Sequence, residues 1–259
     1  MKVAVSGKGG VGKTTLSALL AVSLAREGRR VIAIDADPDA NLAQTLGLPD
    51  SIPVTPLIKM KDLIAERTES QPGTWGKLFK INPTVSDIPD KYSYDVNGVK
   101  LLVLGTIYKG GGGCACPENV FLKNLMAHLV LQRDEVVIVD MEAGIEHLGR
   151  ATVQGMDALI VVVEPGQRSL STAHRVRELA ADIGLRRVLA VANKVRNRDD
   201  EQFIKEHLDG LPLLGTIAFD ARLIGADMEV KCPLEGNPEL EAQIAVIRDN
   251  LAKAVKATA

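Results

Sequence analysis

A chain of 259 residues, 46% hydrophobic and 25% charged, can bury a sizeable core without disulfide staples, and an α/β protein of this size often stays one domain. A net charge of −2, from 31 basic and 33 acidic side chains, gives no basis for a non-specific grip on nucleic acid. The longest uninterrupted apolar run, Ala158–Val163, is far too short to span a membrane, and Met1–Ser6 has no signal-peptide core, so a cytoplasmic protein without a membrane partner is expected.

Short apolar runs alternate with helical patterns along the chain. Strands are predicted at Lys2–Ser6, Arg30–Asp35, Lys100–Leu104, Glu135–Asp140, Ala158–Glu164, Arg187–Asn193 and Leu213–Ala218. Most are near-continuous in Val, Ile and Leu, as strands covered on both faces must be. Helices are predicted at Thr14–Glu27, closed by Gly28, and at Glu118–Gln132, Ser169–Ile183 and Glu239–Lys256. This alternation predicts a doubly wound, mostly parallel sheet with right-handed crossovers, in a single domain over residues 1–259. Residues 49–94 interrupt the rhythm. They hold six of the twelve prolines and four of the eight aromatics, with one short helix expected near Met60–Glu69. A structureless loop of that length is unusual inside a compact domain, so an ordered insertion on the sheet edge is expected, either a partner surface or a surface excursion.

The first strand runs into Gly7-x4-Gly12-Lys13-Thr14, and a helix follows. Strand, loop and helix are the context a P-loop requires. Backbone N–H groups of Gly9, Gly10, Val11, Gly12, Lys13, Thr14 and Thr15 would face the phosphates, aided by the helix dipole. Lys13 would neutralise the β- and γ-phosphates, and the Thr14 hydroxyl would ligate Mg2+. The second strand ends Asp35-Ala36-Asp37-Pro38-Asp39-Ala40-Asn41, which puts carboxylates where Mg2+ and an attacking water belong. The strand Val136–Asp140 ends in a Walker B-like carboxylate, and Asp140 is expected on Mg2+ directly or through water. In the following segment Gly144 would let backbone approach the γ-phosphate, while His147 fits a loop residue better than a catalyst. Further on, Asn193-Lys194-Val195-Arg196 occupies the place of the Asn-Lys-x-Asp of GTPases. Arg196 stands where their guanine-reading carboxylate would be, which favours ATP. Asn193 is expected to hydrogen-bond adenine, and Leu211–Gly215 to lie near the base.

Lys8 directly follows the first glycine, so residues 8–15 read Lys-Gly-Gly-Val-Gly-Lys-Thr-Thr. This resembles the deviant Walker A motif of the MinD/ParA/nitrogenase-iron-protein family of P-loop NTPases, in the SIMIBI class. The resemblance implies a homodimer in which Lys8 reaches the nucleotide of the other subunit. It also implies that Asp37 positions the hydrolytic water and ligates Mg2+, that Asp35 supports the site, and that Asn41 reports on the phosphate state.

Three cysteines, an odd number, do not make a disulfide framework. Cys114 and Cys116 follow four glycines and precede Pro117, at the predicted start of a helix, where a thiolate is favoured. Two thiolates are half of a four-coordinate set, and a two-fold dimer completes it. Four sulfurs hold Zn2+ tetrahedrally, or Ni2+ in tetrahedral or planar geometry. Two free loop thiols, or a shared iron–sulfur cluster, are the competing readings. Cys232, before Pro233, fits a buried structural thiol.

The P-loop, Asp140–Arg150, Val163–Ser169 and the mid-chain Cys-x-Cys together resemble the CooC family. That family's members are ATPases for the maturation of nickel enzymes. The resemblance implies ATP/ADP and Mg2+ as ligands, Ni2+ or Zn2+ held by Cys114 and Cys116, and carbon monoxide dehydrogenase or acetyl-CoA synthase as client. A MinD/ParA-like positioning ATPase is the alternative. A membrane-binding version would need an aromatic anchor on the last helix, and Leu240, Ile244, Ile247 and Leu251 provide a packing face instead.

Overall fold

The computed structural model describes residues 1–37, 39–70, 78–105, 116–142, 152–153 and 155–256. Eight strands among them form one sheet: β1 (Lys2–Gly7), β2 (Val31–Asp35), β3 (Tyr94–Val96), β4 (Val99–Val103), β5 (Val136–Asp140), β6 (Ala158–Val163), β7 (Val188–Val195) and β8 (Leu213–Ala218). Their order is β3-β4-β2-β5-β1-β6-β7-β8. Every pairing is parallel except β3 with β4. The doubly wound sheet expected from the alternation is therefore present, and β1 lies inside it between β5 and β6.

Side chains alternate between faces along each strand, so each strand feeds two cores. Val3, Val5, Val31, Ala33, Val136 and Ile138 pack under α1 (Lys13–Arg26) and the long helix Pro238–Lys256. Ala4, Ile32, Ile34, Val137 and Val139 pack on the other face, under α5 (Pro117–Leu131) and α6 (Gln167–Asp182). The helix Pro238–Lys256 buries Leu240, Ile244, Ile247 and Leu251, so its apolar stripe is occupied by the sheet. At the end of α1, Gly28 at φ 76 lets Arg29 N–H reach Leu24 O at 3.1 Å, the left-handed stop expected there. Cys232 is buried, and that burial raises its thiol pKa.

The insertion is ordered wherever it is described. A 3-10 turn at Leu57–Lys59 precedes α3 (Lys61–Thr68), and α4 (Ile88–Lys91) leads to β3; α2 (Leu42–Thr45) lies ahead of them. Leu57, Leu63, Ile64, Val85 and Ile88 join the α5 face of the core, so most of the segment lies on a face of the sheet. Only its end, β3, reaches the edge. That hairpin carries a signal the strand pattern alone misses. Val96 pairs with Val99 across Asn97-Gly98, whose φ values of 49 and 76 suit the tight turn that Asn-Gly favours. Arg67 donates to both carboxylate oxygens of Asp87 at 2.9 and 2.8 Å, tying α3 to α4.

Phe121 on α5 is fully buried between sheet and insertion. Phe121→Ala should lower the unfolding free energy by about 3–5 kcal/mol through lost burial and a residual cavity. A urea midpoint within error of wild type would contradict this packing.

Candidate nucleotide site

All parallel strands present their C-terminal ends at one rim, where ligands of open α/β sheets bind. A cleft of about 510 Å³ opens there, lined by Gly9, Gly10, Gly12, Lys13, Thr14, Asp37, Asp39, Asn41 and Glu142. The loop joining β1 to α1 forms its floor. Gly12 starts α1 with φ 96, and a Cβ at that position would collide with the side-chain nitrogen of Asn193. Glycine is therefore required twice over, by conformation and by close approach. Lys13 is almost completely buried, and its ammonium lies 3.4 Å from Lys8 O. Val11 is fully buried, while Thr14 and Thr15 are partly accessible in the first helical turn.

Asp35 and Asp140 stand opposite each other on adjacent parallel strands, in register. Both point to the α1 face, because they share the parity of Ala33 and Ile138. Both are almost wholly buried. Asp35 accepts N–H groups of Asp37 at 3.1 Å and Leu42 at 2.9 Å, so it folds the loop after β2 back over the strand end. Asp37 in turn accepts Asp39 N–H at 3.0 Å, and it is half-buried at the cleft. Asp140 Oδ1 accepts the Ser17 hydroxyl at 3.0 Å, whereas its Oδ2 is buried and accepts no hydrogen bond among the described residues. A buried carboxylate oxygen in that condition, beside the Thr14 hydroxyl and below Asp37, fits a hard cation such as Mg2+.

Burial pushes the Asp140 carboxyl up to about 7; the Asp35 charge adds to the rise, and the Thr14 and Ser17 hydroxyls and Lys13 oppose it. Burial likewise raises Asp35 to about 6, against the two backbone N–H donors.

Asn193 has a role that the sequence did not suggest. Its Nδ2 donates to Val11 O at 2.7 Å and its Oδ1 accepts Lys194 N–H at 2.9 Å, so the side chain braces the phosphate loop. The amide keeps a second N–H and a second lone pair, so this brace and the expected contact to adenine are compatible. Arg196 donates through its backbone and guanidinium to Asp200 at 2.8–3.0 Å, which occupies that carboxylate. Leu211–Gly215 is not at the base. Leu213 pairs with Ala190, in the half of β7 remote from the loop, because β8 runs parallel to β7. The segment that does reach the rim is Ala218–Asp220, where Phe219 N–H meets Val195 O at 2.9 Å. Lys194, Glu164 and Ser17 are residues to which the sequence reading gave no role; Lys194 stands beside Asn193 and Glu164 lies within Val163–Ser169, while Ser17 carried no signal.

Cys116 caps the N-terminus of α5, with its carbonyl accepting Val120 N–H at 3.0 Å. Cys114, Gly144 and His147 lie outside the described residues. Among the described residues no group of three or more His, Cys, Asp and Glu is arranged to hold a metal ion. No described helix is long and apolar enough to cross a membrane.

The profile of the CobQ/CobB/MinD/ParA nucleotide-binding domain matches residues 2–234, and the chain belongs to that family. It is an ATP-binding and ATP-hydrolysing P-loop ATPase. It is 47% identical over 230 residues to an uncharacterised ATP-binding protein of Methanocaldococcus jannaschii, covering 88% of each chain. It is also 47% identical over 229 residues to the carbon monoxide dehydrogenase accessory protein CooC of Rhodospirillum rubrum, covering 88% of this chain and 87% of that one. In fold it resembles the septum site-determining protein MinD of Pyrococcus horikoshii complexed with Mg-ADP, with a TM-score of 0.65 at 22% identity over 98% of this chain and 95% of that one.

The raised carboxyls predict an unusual pH response in metal-free protein. A carboxyl whose folded pKa exceeds its unfolded value stabilises the fold below the unfolded pKa and loses that contribution as pH rises. The window here runs from about 4, the ordinary aspartate value, through about 6 for Asp35 and about 7 for Asp140. In EDTA, Asp140→Asn should therefore exceed wild type in unfolding free energy at pH 8, by on the order of a few kcal/mol. The gap should shrink at pH 5. An Asp140→Asn protein less stable than wild type at pH 8 would contradict the cost of burying that charge.

Proposed function

We propose that this chain is an ATP-hydrolysing metallochaperone. It acts as a homodimer, takes Ni2+ or Zn2+ as cargo on Cys114 and Cys116 of each subunit, and serves the maturation of a nickel enzyme such as carbon monoxide dehydrogenase or acetyl-CoA synthase. The single observation that carries this proposal is the 47% identity with CooC over 88% of the chain.

The geometry supports a link between nucleotide and cargo. Backbone hydrogen bonds run without a gap across the rim: Met141 N–H to Val5 O, Ala36 N–H to Asp140 O and Leu104 N–H to Asp35 O, at 2.9–3.1 Å. The segment carrying the cysteines leaves the sheet at Leu104, one residue beyond the Asp35–Val103 pair. At Gly105, φ is 79 and an added Cβ would lie 2.7 Å from Ile58 Cγ2 and 2.9 Å from Pro56 Cβ, so the insertion grips the root of that segment. Cys116 returns the chain to α5. A shift at the carboxylate pair is thus one strand away from the cysteine segment.

In the catalytic cycle, Lys13 and the N–H groups of residues 9–15 would hold the phosphates. Thr14, Asp140 and Asp37 would hold Mg2+, which supplies charge neutralisation at the β- and γ-oxygens. Asp37 would orient the attacking water, and Lys8 would reach across the dimer to the partner's nucleotide. Loss of the γ-phosphate would release the segment that Asp35 folds over the rim. Cargo would be exchanged if the cysteine segment differs between those two states.

Lys13→Ala should abolish ATP binding and hydrolysis, measured by calorimetry and phosphate release; wild-type turnover would sink the assignment of the loop. The double variant Cys114→Ala, Cys116→Ala should lose stoichiometric Ni2+ and Zn2+ in elemental analysis while still binding nucleotide. Undiminished metal in that variant would remove the cysteine site.

A further inference from the structure

Two carbonyls of the phosphate loop are held from behind by consecutive residues of β7. Asn193 takes Val11 O at 2.7 Å, and Lys194 Nζ takes Gly10 O at 2.5 Å. The Lys194 ammonium is itself anchored 3.4 Å from Glu164 Oε2, at the end of β6. Lys194 has φ 58, in the left-handed region that a lysine enters only against steric cost. That turn of the backbone carries its side chain over the loop instead of along the strand. Its backbone N–H is closed onto Asn193 Oδ1 at 2.9 Å, so the two residues hold one another.

A trans peptide is planar, with its carbonyl and N–H pointing opposite ways. Drawing Gly10 O and Val11 O toward β7 therefore turns the N–H groups of Val11 and Gly12 the other way. Val11 N–H turns into the loop, 3.4 Å from Lys8 O. Gly12 lines the cleft. An unbraced loop containing Gly9, Gly10 and Gly12 has ample freedom to collapse, since glycine loses the most backbone entropy on ordering.

We infer that Lys194 is a positioning residue of the ATPase: anchored on Glu164, it pins Gly10 O and holds the phosphate loop in its binding shape before nucleotide arrives. It does not touch the reacting atoms. Its contribution is preorganisation, which acts on affinity for ADP and ATP alike. The inference rests on the assignment of the chain as an ATPase, and it holds whatever cargo the dimer carries.

The test compares Lys194→Met, Lys194→Arg and Glu164→Gln with wild type and with Lys13→Ala, all on the full chain. Lys194→Met keeps the stem and loses the ammonium; it should raise KM for Mg-ATP and Kd for Mg-ADP by about 5–10-fold with kcat within about 2-fold, the scale of one partly exposed charge-assisted hydrogen bond. Lys194→Arg should restore both to within about 2-fold, because a guanidinium can still donate to Gly10 O. Glu164→Gln should raise KM about 2–3-fold. Wild-type KM in Lys194→Met, or a fall in kcat at unchanged KM, overturns the inference. If Lys194→Met does not fold, Glu164→Gln and Lys194→Arg decide by the same split, and wild-type KM in Glu164→Gln overturns it. Loss of hydrolysis in Lys13→Ala together with wild-type behaviour in Lys194→Met would refute only this inference. Hydrolysis surviving in Lys13→Ala would instead refute the assignment of residues 7–15 as the nucleotide-binding loop.

Discussion

Two carboxylates buried side by side, Asp35 and Asp140, are the constraint around which the site is organised. They face one another in register on adjacent parallel strands and point under the same helix. Burial disfavours both charges; the Asp35 charge raises Asp140 further, and the Asp37 charge raises Asp35 further. The protein answers asymmetrically. Asp35 is satisfied by two backbone N–H groups, so it becomes a structural anchor for the loop that carries Asp37. Asp140 is met by the Ser17 and Thr14 hydroxyls and keeps its Oδ2 without a partner among the described residues. One carboxylate thus shapes the loop, and the other keeps an open oxygen of the kind the proposed Mg2+ would take. Metal-free, a chain built this way loses stability as pH rises through about 6 and then about 7.

The cleft is braced from two directions. On one side β7 holds the loop carbonyls through Asn193 and Lys194. On the other, strand ends β5, β2 and β4 are stitched by consecutive backbone hydrogen bonds, and the last of them reaches Ile58 of the insertion through Leu104 O at 3.1 Å. The insertion therefore packs where the cysteine segment is rooted. Its apolar residues share one core with α5, the helix that Cys116 opens. The cargo site proposed on the cysteine segment needs no long pathway to the nucleotide site, because Asp35 ends one strand and Leu104 follows the end of its neighbour.

What the sequence made legible was local. The phosphate loop, the Walker B-like strand and the capped helix α1 are each written within a dozen or so residues, so their spacing sufficed. The parallel sheet was legible because strands buried on both faces must be apolar throughout. The hairpin at Asn97-Gly98 was equally local, yet its short first strand, Tyr94–Val96, hid among prolines and aromatics. The brace that Asn193 makes on the phosphate loop, and the position of Leu211–Gly215, were hidden for a different reason. The loop carbonyl that the Asn193 amide holds lies 182 positions away. Which end of β8 meets the cleft depends on strand direction. The insertion's burial against α5 is likewise a long-range matter that composition does not encode.

The central claim is that the nucleotide site and a cysteine-held metal are two parts of one dimeric device. Native mass spectrometry of the protein with Ni2+ or Zn2+, in the presence and absence of Mg-ADP and Mg-ATP, reads oligomer, nucleotide and metal together. The account predicts a dimer with one metal ion and a nucleotide in each subunit, with metal occupancy that changes between the ADP and ATP states. Metal carried by monomers at a stoichiometry indifferent to nucleotide would contradict it.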